Sequence, residues 1–183
     1  MIKQHHQDLQ DRKNDLEQLI LALATPYQTY IDLILSMPSI RDTFTAITII
    51  SEIGVDMQKF PTAKHLCSWA GLTPTNNESA SKKKSVRISK AGCYIKPLLV
   101  QCANSIIKSE KHPEFRHRYL RIKRRRGHKK AIIAICRMIL TAIYHMFKSG
   151  EVYNPEHYRK AEVLPVEREI TIEQAIILAR AQG

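Results

Sequence analysis

Three features of this 183-residue chain predict an all-α fold. Apolar residues recur at helical spacing through Ile95, Leu98, Leu99, Cys102, Ala103, Ile106 and Ile107, which gives one broad apolar face. The stretch from Ala131 to Lys148 is apolar almost all round, the pattern of a central core helix. Strand signals are poor throughout. The expected architecture is a helical arm with partial coiled-coil character over 1–36, then a helix-hairpin-helix-like start and a compact helical domain over 37–153. A tail with a short terminal helix is expected over 154–183.

In the arm, Leu9, Leu16 and Leu23 recur every seven residues and Leu19 fills one intermediate position, while His5 and Arg12 spoil others. Both an intermolecular coil and an amphipathic helix packing on its own domain fit this pattern. Pro26 interrupts it, and Thr25 before the proline is a candidate cap for a helix through Tyr27, Tyr30, Ile31, Ile34 and Leu35. Met37 to Ile40, then Thr43 to Ile53 and Gly54, read as two helices around a turn. Such a turn offers unpaired N–H groups to a phosphate. A purely structural corner is the other reading.

The next helix is expected from Thr62 or Ala63 to Ala70, with Gly71 as its left-handed stop. A polar loop follows, and then the helix within Gly92 to Ser109, with Pro97 in its first turn. Pro113 opens another helix that turns Phe115, Tyr119 and Ile122 inward, and Gly127 closes it. Beyond Gly150, only Thr171-Ile172-Glu173-Gln174 signals a helix, through a capping box.

The formal charge of +12 is unevenly spread. Residues 81–137 hold eighteen Lys and Arg against Glu110 and Glu114, a net of +16, so the remainder sums to −4. Such concentration argues for a polyanionic partner met from one face, and nucleic acid leads the candidates. Arg116, Arg118, Arg121, Lys123, Arg124, Arg125, Arg126, Lys129 and Lys130 place nine cations in fifteen residues. On one helix they cannot share a face, which suits backbone contacts better than base reading. Tyr94 and Tyr119 are candidates for stacking on bases, with Tyr119 equally a core residue by its spacing.

Cys67, Cys93, Cys102 and Cys136 form no C-x-x-C pair and read as reduced core thiols of a cytosolic protein. His112 and His117 lack cysteine companions, so no zinc site is expected. The charged start IKQHHQDLQDRK does not fit a signal peptide, and Arg137 and His145 interrupt the longest apolar stretch, so no membrane association is expected.

The loop GLTPTNNESASKKKSVRISK at 71–90, the block HPEFRHRYLRIKRRRGHKK at 112–130 and the helix AIIAICRMILTAIYHMF after it resemble, in this order, the insertion-sequence transposases of the IS one-ten type. These are serine and DEDD recombinases that move DNA under guidance of a bridge RNA. The resemblance covers roughly Met37 to Tyr153, the family's carboxy-terminal transposase domain, and omits its nuclease-like domain. It implies DNA and guide RNA as partners and a prokaryotic, cytoplasmic, nucleoid-associated setting, while the leucine pattern of the arm points to a homo-oligomer.

It also implies that Ser79 is the nucleophile that becomes joined to a DNA strand, with Ala80 standing where glycine is usual. Cys93 and Lys96 stand where asparagine and arginine are common. A serine hydroxyl is a weak nucleophile and needs activation. Lys82, Lys83, Lys84, Arg87 and Lys90 supply charge for a phosphorane, but Glu78 is the one acid nearby. The resemblance assigns Mg²⁺ to carboxylates of the nuclease-like domain, so no metal or other cofactor is expected in this chain and none of its cutting activity without that domain. Lys82, Lys83, Lys84, Arg87, Lys90, Arg116, Arg121, Arg124, Arg125, Arg126, Lys129 and Lys130 are the expected nucleic-acid-binding residues. The competing reading is a non-catalytic helical nucleic-acid-binding module, in which Ser79 is one loop serine among several.

Overall fold

The computed structural model describes residues 2–74, 77–79, 82–85 and 88–156, with side chains placed at 2–74 and 88–156. The capping box at 171–174, Arg87, Ala80 and Ser81 lie outside these. The chain divides into two compact units, Met1–Tyr153 and Asn154–Gly183. In the first, the described residues form seven helices: α1 Ile2–Ala24, α2 Gln28–Leu35, α3 Thr43–Ile53, α4 Ala63–Trp69, α5 Ile95–Ile106, α6 Pro113–Arg126 and α7 His128–Ser149. A short hairpin, β1 Asn77–Ser79 and β2 Lys82–Ser85, lies between α4 and α5.

The all-α class therefore holds, with that hairpin as its one strand pairing among the described residues. Sequence periodicity missed it for a physical reason. NES and KKKS carry no apolar residue to alternate, and backbone pairing alone makes the ladder.

The core forms around α7, which packs against α6, α5, α4 and α2. Ala131, Ile135, Cys136, Ile139, Leu140 and Ile143 are wholly buried along it. Leu66 from α4, Ile95, Leu99 and Ala103 from α5, Phe115 from α6 and Ile31 and Ile34 from α2 are buried alongside. Each large side chain removed from water contributes about 1.5–3 kcal/mol before entropy is counted. By length and hydropathy α7 is the one described helix that matches a membrane span, but most of its apolar stretch is buried inside the fold.

Helix α1 behaves differently: only Ala24 is buried in its 23 residues. Leu9, Leu16, Leu19 and Leu23 are all more than half exposed. Thr25 does not cap the following helix. Its hydroxyl donates back to the Leu21 carbonyl at 3.2 Å, and a 3-10 turn through Pro26 links α1 to α2. The one-turn-back carbonyl is the nearest acceptor while the chain is still helical, so the hydroxyl finishes α1 instead of starting α2.

Candidate nucleic-acid interface

Two segments meet at the root of the hairpin. Gly71 follows α4 and Gly92 precedes α5, with φ of 65° and 67°, a backbone region that side chains rarely tolerate. A Cβ on Gly71 would lie 2.5 Å from the Ala91 carbonyl oxygen and 2.8 Å from Lys96 Nζ. A Cβ on Gly92 would collide with the Ala70 carbonyl. The crossing is therefore backbone against backbone, and only glycine allows it.

Lys96 and Ser89 complete the root. Lys96 Nζ donates to the Ser89 carbonyl at 2.7 Å, and the Ala91 amide donates to Ser89 Oγ at 3.0 Å. Burial pulls the Lys96 ammonium below its ordinary value, with Cys93 beside it acting in the opposite sense. Above the root, Pro74 bridges Ile88, and the antiparallel ladder continues with Asn77 opposite Ser85, Glu78 opposite Lys83 and Ser79 opposite Lys82. An irregularity between Asn77 and Glu78 breaks the register once.

The backbone of Ser79 thus sits at the tip of the hairpin, paired with the first of the three lysines, and Lys82, Lys83 and Lys84 form the return strand. Lys90 is described and exposed near the root. Arg87 lies outside the described residues.

The second basic group forms an elbow. Lys123, Arg124, Arg125 and Arg126 occupy the last turn of α6, where the negative end of the helix dipole favours cations. Gly127 then breaks the helix, and Lys129 and Lys130 open α7, whose N-terminus has no side-chain cap. The nine-cation run is therefore divided between two helix ends. Arg116, Arg121, Arg124, Arg125, Arg126, Lys129 and Lys130 are all exposed. The last five have no carboxylate partner among the described residues. Tyr119 is buried, its hydroxyl held by His128, so it is a core residue and not a stacking surface.

The N-terminus of α3, for which the sequence leaves both a phosphate-binding turn and a purely structural corner open, is capped by its own chain: Asp42 Oδ2 accepts from the Thr45 amide at 2.8 Å and from Thr45 Oγ1 at 3.0 Å. A carboxylate there disfavours a phosphate at the same amides, which supports the structural corner. One expectation is corrected: Cys93 is exposed, unlike buried Cys67, Cys102 and Cys136, because it lies in the turn between the glycine crossing and α5. Two roles at the hairpin root escaped sequence reasoning: Lys96, marked only as standing where arginine is common in the resembled family, is its fastener, and Trp69 presents an exposed ring. No local pattern marks either role.

Among the described residues no group of three or more His, Cys, Asp or Glu side chains is placed to hold a metal ion. The resemblance places Mg²⁺ on carboxylates of the nuclease-like domain and not on these residues.

No curated protein matches the chain. Residues 31–120 match the model of the transposase IS116/IS110/IS902 family. The matched span runs from α2, through the turn and α3, across the serine hairpin and α5, into the basic helix α6. The segment that roots the hairpin on its two glycines and begins the elbow is thus a transposase domain of the IS116/IS110/IS902 family.

Proposed function

We propose that this domain supplies a DNA recombinase with its serine nucleophile and with basic surfaces that hold nucleic acid. The observation that carries the reading is the hairpin register, with Ser79 at the tip opposite Lys82 and beside a run of lysines. A hairpin lying between two helices suits a nucleophile that must reach a reaction centre shared with another domain. Ser79 Oγ attacks the phosphorus of a DNA phosphodiester, and the P–O bond to the departing sugar oxygen breaks. The serine proton ends on that oxygen. The strand stays joined to Ser79 until a sugar hydroxyl attacks the same phosphorus and returns the serine to its starting form.

Lys82, Lys83, Lys84, Arg87 and Lys90 offset the charge of the pentacoordinate phosphorus. Arg116, Arg121, Arg124, Arg125, Arg126, Lys129 and Lys130 grip phosphates of DNA or guide RNA across the elbow. The carboxylates that hold Mg²⁺ come from outside the residues described, and the leucine face of α1 pairs with a second copy of the chain.

The test is a denaturing gel for a covalent protein–DNA adduct, using protein that includes the nuclease-like domain, with guide RNA and Mg²⁺. Ser79→Ala abolishes the adduct and leaves DNA binding nearly unchanged, whereas Ser81→Ala retains both. Loss with Ser81→Ala alone moves the chemistry to Ser81. An adduct that survives in both variants leaves a non-catalytic nucleic-acid-binding module as the better reading.

A further inference from the structure

The glycine crossing brings two exposed aromatic rings to the base of the serine hairpin. Trp69 is the last residue of α4 and is 44% exposed; Tyr94 immediately precedes α5 and is 71% exposed. Trp69 adjoins Ala70, whose carbonyl lies against Gly92, and Tyr94 is two residues beyond Gly92. The rings therefore sit on the two chain segments that touch at the crossing, one before and one after the lysine-bearing hairpin in the chain.

Burial would contribute more than exposure for rings this large, and the same fold buries Phe115 and Tyr119. Trp69 is also held in place. It meets Phe60 edge to face, with ring centroids 5.8 Å apart at 61°, and the Phe60 carbonyl is fixed by the Tyr144 hydroxyl of α7 at 3.0 Å. A ring already ordered in water loses little freedom when a flat partner lands on it.

From this placement we infer that Trp69 and Tyr94 form a stacking platform for unpaired nucleobases next to the strand that the hairpin addresses. The inference rests on the nucleic-acid reading above and extends it to a substrate class: a single-stranded or locally opened strand, held by its bases as well as its phosphates. Charge complementarity selects that occupant, because Lys82, Lys83, Lys84 and Lys90 lie on the same loop and attract the backbone that brings the bases in. Stacking accepts any base, since every base has a π-face, and so adds affinity without sequence preference.

Trp69 is the single tryptophan of the chain, so its fluorescence reports on this surface directly. A dye-labelled twelve-nucleotide thymidine strand is titrated with the full chain, binding is read by anisotropy, and tryptophan emission is followed with the unlabelled strand. Quenching that tracks binding is expected. An abasic strand with the same number of phosphates should bind through the lysines and leave emission unchanged. Tyr94→Ala should weaken binding of the thymidine strand about tenfold and binding of the abasic strand hardly at all. Trp69→Phe, which keeps a ring against Phe60, should weaken it less. Equal quenching by the abasic strand, or unchanged emission under full thymidine-strand binding, overturns the platform while the nucleic-acid reading stands. Absence of binding to either strand overturns both.

Discussion

The hydroxyl of Tyr119 and Nδ1 of His128 share a hydrogen bond of 2.8 Å across the Gly127 break, with the two rings edge to face at 5.9 Å. Lys123 Nζ stands 5.6 Å from the centre of the Tyr119 ring. The bond ties the middle of α6 to the first residue of α7, and so fixes the angle at which two groups of cations are presented. Tyr119→Phe keeps the packing and removes the bond, which should lower stability by about 1 kcal/mol in urea unfolding. It should also weaken duplex binding, because the arginines of α6 no longer hold one orientation toward the lysines of α7. Unchanged stability and unchanged affinity together would show that the elbow needs no tie.

The elbow itself is tested by salt. If it and the hairpin contact about six phosphates, the logarithm of affinity falls against the logarithm of salt with a slope near −5. Changing Arg124, Arg125 and Arg126 together to Ala should flatten that slope by roughly 2 to 3 in a fluorescence anisotropy titration. A triple variant with the parental slope and affinity would mean that these arginines are simply solvated.

At the hairpin root, Gly92→Ala combines a disfavoured backbone angle with a collision against the Ala70 carbonyl. It should cost well over 1 kcal/mol, and hydrogen exchange at Ala91 and Lys96 should accelerate more than exchange in α7. Uniform acceleration throughout would mean that the crossing is not a local fastening.

The arm gives a prediction about assembly. Helix α1 exposes Leu9, Leu16, Leu19 and Leu23 and buries almost nothing of its own. Most helical stability in proteins comes from packing of an apolar face, which α1 does not find within the described residues, so a partner is the simplest source of order. An apolar cleft of ≈ 530 Å³ at its base, lined by Ile20, Leu23, Ile31, Ile47 and Ile50 among others, continues the same surface. Sedimentation should report a dimer or larger species, and Leu16→Lys with Leu23→Lys should shift it to monomer. A monomeric parent removes the intermolecular coil.

The buried thiols give a pH dependence with a definite sign. Burial, with Cys102 nearby adding to it, pushes the Cys136 thiol up to about 12 from an ordinary 9.0, and burial raises Cys67 and Cys102 as well. The folded state holds these groups neutral, while the unfolded chain releases their protons above about pH 9. Their contribution is therefore complete below pH 9 and is lost as pH rises from there toward 12. Urea midpoints measured from pH 8 to 11 should fall, and Cys136→Ala, though less stable at pH 8, should fall less steeply. A native-state thiol assay at pH 8 should find only exposed Cys93 reacting quickly.

Local rules carried most of the helical fold. The apolar faces of 95–107 and 131–148, Pro113 at a helix start and the glycine stop after α4 depend on neighbours within a few residues, and the structure has helices at each. The density of cations was likewise a property of composition alone. Tertiary structure decided how those residues are presented. The Asp42 cap of α3 is a local exception, an i,i+3 bond in which a short carboxylate binds the free amides next to it. The hairpin carrying Ser79 is made by backbone pairing that polar side chains do not advertise. Residues 20 apart, such as Gly71 and Ala91, meet only because the chain crosses itself. That crossing turns Cys93 and Tyr94 to solvent while Ile95 enters the core. Periodicity reports which face of one element is apolar, whereas exposure at a crossing depends on the direction from which a second segment arrives.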